Sequence, residues 1–376
     1  MISVFGNIKF KGDKIIWAIV ILLSLFSVMV VYSSAGLDKL INHIPKLLLG
    51  LFAMYVVHLI PFKYFSKLGQ LGYFTSLLLL LLVPFIGITL NGASRWLGVG
   101  GFQFQPSDVA KLVVILFMAR QISVNRDNLD GFKEFVWYIL SPLLIVCLLI
   151  LPNNFSTSAL VFLNGLVLMF VGKMRLQFIV RVLGIALLGA FVIYGAAKYT
   201  AIGTRIMPRS ATWVSRIDNF VKGGDEQQMD KDYQQTQALV AIQNGGLYGV
   251  GPGKSTQRSI LPYSYSDFIY AIILEEYGLI GGISAILFYL ILLFRAVRIS
   301  LKSDSVFGSL VAIGLMFSLV FQAFINMFVS VEIMPVTGQT LPLISMGGTS
   351  IVFSCIAIGI VLSISRDSIE GEYEKS

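Results

Sequence analysis

The sequence predicts an all-α polytopic membrane protein with ten transmembrane helices and one large extracytoplasmic loop between the seventh and eighth helices. Hydrophobic residues make up 56% of the 376 residues, and charged residues only 13%. Apolar runs of about 18 or more residues recur along the chain, and each is long enough to cross the hydrocarbon core of a bilayer. The chain also lacks a low-complexity tract, so we expect one integral membrane domain over residues 1–376.

Turn residues and clusters of charge separate the predicted helices. The first apolar run, from Ile15 to Val31, follows three lysines and imitates a secretory signal. It is longer than the usual signal core, so we expect it to remain as an uncleaved span. The ten predicted helices cover residues 14–34, 46–61, 72–90, 106–122, 136–152, 155–172, 176–197, 267–294, 306–330 and 349–365.

The Lys and Arg residues are distributed unevenly between the two sides of the predicted bundle. The side that carries both termini holds 16 of the 28, the opposite short loops hold 4, and the long loop holds 8. Short cytoplasmic loops are enriched in these residues, whereas long loops count little. We therefore expect a multi-pass protein of the cytoplasmic (inner) membrane with both termini inside and residues 198–266 outside.

Composition argues against several other classes of protein. Cys147 and Cys355 lie inside apolar runs without CxxC spacing, and His43 and His58 are isolated. Neither a disulfide framework nor a zinc or histidine metal site is indicated. The net charge of +8 is spread between the spans instead of along one face, so nucleic acid is not expected as a partner.

A glycine-rich turn in the long loop, Gly249 to Ser255, imitates a phosphate-binding P-loop. The match fails because Tyr248 occupies the position of the first required glycine, and no strand precedes the turn. Two interpretations stay open. The turn brings Lys254 and Arg258 close to a phosphate, or it is a flexible hinge.

Asp267 stands at the outer mouth of the eighth predicted helix. A carboxylate there is costly unless it caps the helix, pairs with a cation or takes part in chemistry. Asp is a favoured N-cap residue, and capping would hold its pKa down. Partial burial would instead raise the pKa toward that of a general base, and position alone leaves both interpretations open.

Glu275 and Glu276 lie two helical turns deeper in the same predicted helix. On an ideal helix Glu275 is about 80° around and about 12 Å along from Asp267, whereas Glu276 is on the opposite face. This geometry allows Glu275 to line the same cavity as Asp267, and a structural ion pair with another helix is the alternative. For Glu276 we expect a structural ion pair with another helix, because a buried carboxylate requires a partner.

Three charged residues, Arg95, Asp108 and Lys111, stand in an apolar setting further back in the chain. Lys111 near the N-terminal end of a helix opposes the helix dipole, so we expect it to pair with Asp108 three residues earlier. Pro106 and Ser107 are typical of a helix start. The alternative is that Arg95 and Lys111 face an anionic ligand.

The long loop carries further polar groups. Its cations, among them Arg216, suit phosphate oxygens, although mild positive charge near lipid headgroups is common. Gln235 and Gln237 carry amides of the kind that hold sugar hydroxyls, and polar helix faces use Gln as often.

Two polar features lie near the C-terminus. Gln322 and Asn326 are four residues apart in the ninth predicted helix, and we expect them to form hydrogen bonds between helices. Residues 335–350 are too broken for a span and too apolar for a plain loop. A re-entrant segment that lines a cavity fits this pattern.

Five stretches in this order resemble the SEDS family (shape, elongation, division and sporulation), and the resemblance runs over nearly the whole chain. They are Asn91–Trp96, Gln105–Lys111, Tyr233–Gln237, Ser266–Phe268 followed by Glu275 and Glu276, and Thr340–Ser350. The resemblance implies a ten-helix peptidoglycan glycosyltransferase that polymerises lipid II outside the cytoplasmic membrane. Its implied partners are a class B penicillin-binding transpeptidase and other membrane proteins of the division machinery.

Within this resemblance Asp267 falls on the family's catalytic carboxylate. It would deprotonate the 4-hydroxyl of the acceptor sugar while cations such as Arg95, Lys111 and Arg216 stabilise the leaving lipid diphosphate. Whether a divalent cation assists the diphosphate stays open, and no other cofactor is implied. The candidate substrate-binding residues are Arg95, Asp108, Lys111, Arg216, Gln235, Gln237, Lys254, Glu275 and Ser345.

Two positions depart from the family pattern. Tyr265 replaces a His, and Asn154 replaces an Asp whose anionic role it cannot reproduce. The stretches Asn91–Trp96 and Thr340–Ser345 look more like the division branch of the family than the elongation branch. Two other functions stay open: a lipid II flippase, since charges in a helical bundle often mark a substrate path, and a non-catalytic scaffold.

Overall fold

The computed structural model describes residues 11–90, 93–99, 102–200, 209–222 and 229–375. Helices dominate these ranges. They are α1 (Lys14–Leu59), α2 (Lys63–Ile86), α3 (Pro106–Val124), α4 (Phe132–Ile150), α5 (Phe155–Val171), α6 (Leu176–Tyr199), α7 (Ser210–Lys222), α8 (Met229–Gly245), α9 (Ile269–Lys302), α10 (Val306–Ser330) and α11 (Ser350–Lys375). Short 3₁₀ turns cover Arg126–Asn128 and Gln257–Ser259, and Val136–Leu140 within α4 is wound as a π-helix.

Seven of the described helices are long and apolar enough to cross a membrane: α1, α2, α4, α6, α9, α10 and the first part of α11. Helix α5 is apolar but shorter. Together with the scarcity of strands in the described ranges, this confirms the predicted all-α polytopic membrane architecture. The count of ten spans stays a prediction, as does the single domain over the whole chain.

The longest helix, α1, takes the place of the first two predicted spans. Its 46 residues are helical except at Gly36, where φ is 74° and ψ is −175°. Glycine reaches positive φ without a Cβ clash, so the helix breaks there and resumes at once. The prediction of a connector over residues 35–45 was therefore wrong beyond this one break, and Pro45 lies inside the resumed helix.

A small antiparallel sheet stands where the third predicted helix was expected to continue to residue 90. Helix α2 ends at Ile86, shortly after Pro84. The sheet consists of β1 (Ile88–Leu90), β2 (Ala93–Val99) and β3 (Phe102–Phe104) in that order. No strand was predicted, because runs this short carry little periodic signal. The sheet matters for function because β2 carries Arg95 and Trp96.

The polar stretch of residues 198–266 was predicted as one loop, and its described part contains α7, α8 and a 3₁₀ turn. Helix α8 packs along α9, and α7 packs on α6. The polar sequence folds as helices here because α7 and α8 each pack against a longer helix. Such packing comes from the tertiary fold and cannot be read from the local sequence pattern.

The glycine-rich turn packs closely on α9 instead of forming a phosphate cradle. The amides of Val250 and Gly251 donate to the carbonyls of Glu275 and Glu276 at 2.9 Å and 3.0 Å. Helix α9 breaks at Gly278, where φ is 65°, and a Cβ at this position would lie 2.3 Å from the carbonyl oxygen of Leu247. Gly249 and Gly278 are therefore required by close backbone contact.

Helix α10 occupies the centre of the bundle. It packs against α3, α5, α9 and α11, while α11 packs against α1. Between α10 and α11 the chain follows an irregular path through residues 331–349. This irregular segment lies over the polar residues of α3 and α10, and the site described below is formed where the three meet.

Candidate functional site

A cavity of about 200 Å³ opens beside Asp267. It is bounded by β2, the first turn of α3, the start of α5, the loop before α9 and the irregular segment. Its lining residues are Arg95, Trp96, Gln105, Asp108, Lys111, Asn154, Thr157, Ser266, Asp267, Gln322, Gly338, Gln339, Thr340, Met346, Gly347, Gly348 and Ser350. We call it the Asp267 cavity.

Asp267 lies just before α9 and does not cap it. The helix begins at Ile269 with Phe268 at the N-cap, and no side-chain capping bond is formed there. The capping interpretation is therefore wrong. The half-buried side chain lines the cavity instead, where Oδ1 accepts a hydrogen bond of 3.0 Å from the hydroxyl of Ser266.

The electrostatic setting of Asp267 suits a proton acceptor. Burial raises the pKa of this carboxyl above its usual value. The hydrogen bond from Ser266 and the charges of Arg216 and Arg95 oppose that rise. The result is a carboxyl more basic than an exposed Asp, with arginines close enough to sense its charge.

Three arginines cluster near Asp267: Arg95 lines the cavity, whereas Arg209 and Arg216 lie outside its lining. Arg95 Nε and Arg209 Nη1 both donate to the carbonyl of Asn153, at 3.0 Å and 3.2 Å, and Arg216 Nη1 donates to the carbonyl of Val336 at 2.8 Å. The pKa of Arg95 is lowered to about 10, chiefly by burial and further by the charges of Arg209 and Arg216. Burial also lowers the pKa of Arg209 and of Arg216. Such a cluster of half-buried cations favours an anionic ligand.

The predicted pair of Asp108 and Lys111 is present on α3. Lys111 Nζ lies 2.8 Å from Asp108 Oδ1 and donates to Oε1 of Gln322 at 3.0 Å. Gln322 in turn donates from Nε2 to the carbonyl of Thr340 at 3.0 Å. Lys111 is thus paired and also lines the cavity, so the two interpretations offered for it are compatible.

Asn326 of α10 and the irregular segment together hold the residues before α9 in place. Asn326 Nδ2 donates to the carbonyls of Asp267 and Gln339, at 2.8 Å each. The buried Ser345 hydroxyl donates to the carbonyl of Ser266 at 2.7 Å, and the amide of Met346 donates to the carbonyl of Tyr265 at 3.0 Å. These bonds fix the backbone on both sides of Asp267.

Ser345, Gln235, Gln237 and Lys254 do not line the Asp267 cavity. Ser345 is fully buried and contacts backbone groups. Gln235 Nε2 donates to the carbonyl of Met334 at 3.3 Å, so it supports the irregular segment from α8. Gln237 is half-buried on α8, and Lys254 is exposed in the glycine-rich turn. Their substrate-binding roles have no support from this cavity.

Glu275 does not line the Asp267 cavity, so the interpretation that the two carboxylates share it is wrong. Its carboxylate is fully buried and accepts hydrogen bonds from the loop before the 3₁₀ turn, including the hydroxyl of Ser255 and, at 3.0 Å, the amide of Thr256. The loop folds back onto α9 and covers Glu275. Glu276 accepts from the hydroxyl of Ser33, and no cation of the described chain pairs with it, so the expected ion pair is also absent.

Sequence reasoning missed several cavity residues. Gln339 donates from Nε2 to Thr157 Oγ1 at 3.0 Å, and Asn154 caps α5 by accepting from the amide of Thr157 at 3.2 Å. The one sequence signal that could have assigned Asn154 to the site was its position in place of a family Asp. Arg209 was counted among the loop cations without being assigned to the site.

The donor set of the cavity favours a bound anion over a resident metal. No three His, Cys, Asp or Glu side chains converge within the described ranges. Asp108 is paired with Lys111, and Asp267 faces arginines. The arrangement can accept a proton at Asp267 and bind phosphate oxygens through the adjacent guanidinium groups.

Comparison with known proteins extends these observations to the whole chain. The sequence model of a family described as cell cycle protein, FtsW/RodA/SpoVE, matches residues 13–370. Stage V sporulation protein E of Bacillus subtilis (strain 168) is 32% identical over 375 residues, with 96% of this chain and 98% of that protein covered. A probable peptidoglycan glycosyltransferase FtsW of Methylomonas methanica (strain DSM 25384 / MC09) is 31% identical over 334 residues, covering 86% of this chain and 82% of that protein.

The fold has a counterpart among solved structures. A chain from a peptidoglycan synthase complex that coordinates polymerization and crosslinking matches with a TM-score of 0.78 and 24% identity, covering 95% of this chain and 98% of that chain. This likeness concerns the fold, and the sequence matches establish the family. The chain belongs to the FtsW/RodA/SpoVE family of cell cycle proteins.

Proposed function

We propose that this chain is a peptidoglycan glycosyltransferase that polymerises lipid II into glycan strands. The observation that carries the proposal is the half-buried Asp267 on a polar cavity, where the charges of Arg95 and Arg216 act on its carboxyl. Relatives that match most of the chain are named probable peptidoglycan glycosyltransferases, which agrees with this chemistry. The substrate would be an undecaprenyl diphosphate-linked disaccharide peptide.

In the proposed reaction Asp267 is the general base. Its carboxylate takes the proton from the 4-hydroxyl of the acceptor sugar as that oxygen forms a bond to the anomeric carbon of the donor. The bond between this carbon and the lipid diphosphate breaks, and the diphosphate leaves with the electron pair. A base with a raised pKa holds the transferred proton better than an exposed Asp would, and general bases of this kind contribute roughly 10²- to 10⁴-fold to rate.

Arg95 and Arg216, supported by Arg209, stabilise the negative charge that develops on the leaving diphosphate. Guanidinium groups bind phosphate oxygens in a fork, and their hydrogen bonds to carbonyls fix them before substrate arrives. Lys111 is the second source of positive charge, partly neutralised by Asp108. Fixed cations directed at developing charge are often the largest electrostatic contribution to catalysis.

The proposal includes a location and partners. The Lys and Arg distribution supports a cytoplasmic membrane protein with both termini inside and the Asp267 cavity facing outward. The similarity to a chain of a peptidoglycan synthase complex supports a class B penicillin-binding transpeptidase as the partner. The stretches around Arg95 and Thr340 favour a role in cell division, with other division proteins as further partners, over a role in elongation.

The deciding experiment is polymerisation of labelled lipid II by purified protein together with its transpeptidase partner. Asp267→Ala and Asp267→Asn are each expected to lower the rate by at least about 10²-fold. Asp130→Asn is the matched control, because this exposed carboxylate pairs with Arg175 away from the cavity. Unchanged polymerisation by Asp267→Ala would remove Asp267 from catalysis. Vesicles that translocate lipid II without polymerising it would favour a flippase.

A further inference from the structure

A second and larger cavity borders the loop that precedes Asp267. Its volume is about 750 Å³, and it shares no lining residue with the Asp267 cavity. One wall is the end of the first half of α1, from Met29 to the break at Gly36. The other walls are the loop around Arg258 and the side chain of Tyr277 on α9. We call it the Arg258 groove.

The backbone that carries Arg258 is firmly anchored. The buried Glu275 accepts hydrogen bonds from the hydroxyls of Ser255 and Thr256 and from the amide of Thr256. The same Ser255 oxygen accepts from the amide of Arg258 at 3.1 Å. Glu275 therefore fixes the position of Arg258 through the loop, although it does not reach the groove itself.

The Arg258 side chain is held in place while most of its donors stay available. Nη1 donates to the carbonyls of Ser33 and Gly253, at 3.3 Å and 3.2 Å. Within the described chain, Nε and Nη2 have no hydrogen-bond partner, and no carboxylate lies within ion-pair distance. An exposed guanidinium with two donor groups unused can bind one phosphate in a fork.

The remainder of the groove is amphipathic. Met29, Tyr32, Leu37 and Tyr277 supply apolar and aromatic surface, and Arg258 is the one charged side chain among the lining residues. Tyrosines are enriched where a membrane meets water, because one end of the ring is apolar and the other polar. The matching ligand has an apolar chain and a headgroup with a single negative charge.

We propose that the Arg258 groove binds the phosphodiester headgroup of an anionic glycerophospholipid. Charge complementarity favours this ligand over a lipid diphosphate, because a diphosphate carries at least two negative charges and the groove presents one cation. The clustered arginines near Asp267 suit the diphosphate better. The groove thus adds a structural lipid site at the Gly36 break of α1, next to the loop that leads to Asp267.

The test is native mass spectrometry of the delipidated full-length protein, titrated with phosphatidylglycerol or with phosphatidylcholine of the same acyl chains. The parent should bind phosphatidylglycerol in preference. Arg258→Gln should weaken that binding about tenfold and abolish the preference, since charge-assisted hydrogen bonds are lost. Lys254→Gln is the matched control, an exposed cation of the same loop outside the groove, and should bind as the parent does.

A second variant keeps the test decisive if Arg258→Gln fails to fold. Ala35→Trp fills the groove while leaving Arg258 in place, and it should weaken phosphatidylglycerol binding with little change in the midpoint of thermal unfolding. Equal weakening by Lys254→Gln, or unchanged binding in both groove variants, would overturn the proposal. So would competition by lipid II for the same site together with a raised KM for lipid II in Arg258→Gln. These readouts do not depend on Asp267 being catalytic.

Discussion

The side-chain amide of Asn326 donates to the main-chain carbonyl of Asp267 at 2.8 Å, and its partner on the other side is the carbonyl of Gln339 at the same distance. A single residue of α10 therefore connects the proposed base to the irregular segment that forms the opposite wall of the cavity. Asn326 is buried, with 1% of its surface exposed. The two bonds use both hydrogens of this buried amide, so the contact fixes the backbone of Asp267.

Asn326→Ala should impair both stability and catalysis. Leaving buried carbonyls without a donor costs about 1–3 kcal/mol, so the midpoint of thermal unfolding should fall. Because Asp267 would lose its fixed position, kcat for lipid II polymerisation should fall about tenfold while KM changes little. Asn42→Ala is the control, since Asn42 is exposed and contacts only the carbonyl of Asp38. A fall in stability with parental kcat would show that Asn326 stabilises the fold without positioning Asp267 for catalysis.

The pH dependence of polymerisation should report the ionisation of Asp267. Its pKa is raised by burial, and the base must be deprotonated, so activity should rise with pH through that raised pKa. Ser266→Ala removes the hydrogen bond that favours the ionised form, so the acid limb of kcat should move to higher pH. Ser284→Ala, whose hydroxyl contacts only its own helix, should leave the limb in place. If the acid limb of Ser266→Ala stays in place, the limb does not report the ionisation of Asp267.

The same pKa shift predicts how stability varies with pH. A carboxyl whose pKa is higher in the folded than in the unfolded state contributes stability that is complete below the unfolded pKa and is lost as pH rises through the folded pKa. The parent should therefore gain stability on acidification through this window, and Asp267→Asn should lack that gain. Thermal unfolding of the two proteins across pH 3 to 8 measures the difference. Parallel curves would contradict the raised pKa.

Local sequence patterns were sufficient where a single element decides the geometry. The pairing of Asp108 with Lys111 follows from their spacing on one helix, and the apolar runs were long enough to identify most spans. Patterns failed where distant segments meet. Nothing near Glu275 in sequence indicates that residues 255–257 fold over it, because those partners come from a loop about twenty residues away.

The roles of Gln322 and Asn326 show the same limit. Their spacing predicted hydrogen bonds from α10, and those bonds exist. Gln322 accepts from Lys111 on the neighbouring α3, as predicted, but the amide donors of both residues go to backbone carbonyls of the irregular segment and of Asp267. An irregular backbone has no period from which its position can be read, so the link between α10 and the proposed base becomes visible only in the folded chain.

Arg95→Gln should separate activity from stability. Burial and the charges of Arg209 and Arg216 lower the pKa of Arg95, so its positive charge is disfavoured in the absence of substrate. Removing that charge should leave the midpoint of thermal unfolding unchanged or slightly raised. Polymerisation should nevertheless slow by about 10²-fold, because a preorganised cation for the leaving diphosphate is lost.

The control for this prediction is Arg175→Gln, which removes an exposed arginine paired with Asp130. Its rate should match that of the parent. Inorganic pyrophosphate should also raise the unfolding midpoint of the parent more than that of Arg95→Gln, because a ligand stabilises the state that binds it. If pyrophosphate raised the unfolding midpoints of the parent and of Arg95→Gln equally, Arg95 would not bind the diphosphate.

Glu275→Gln should loosen the loop before the 3₁₀ turn without changing substrate affinity. The carboxylate accepts several hydrogen bonds from residues 255–257, and weakening them to neutral ones should cost about 2 kcal/mol. Hydrogen exchange at residues 254–259 should accelerate while KM for lipid II stays constant. Glu276→Gln is the paired control, because Glu276 accepts from the hydroxyl of Ser33 outside this loop. If KM for lipid II rises while hydrogen exchange at residues 254–259 matches the parent, Glu275 contributes to substrate binding after all.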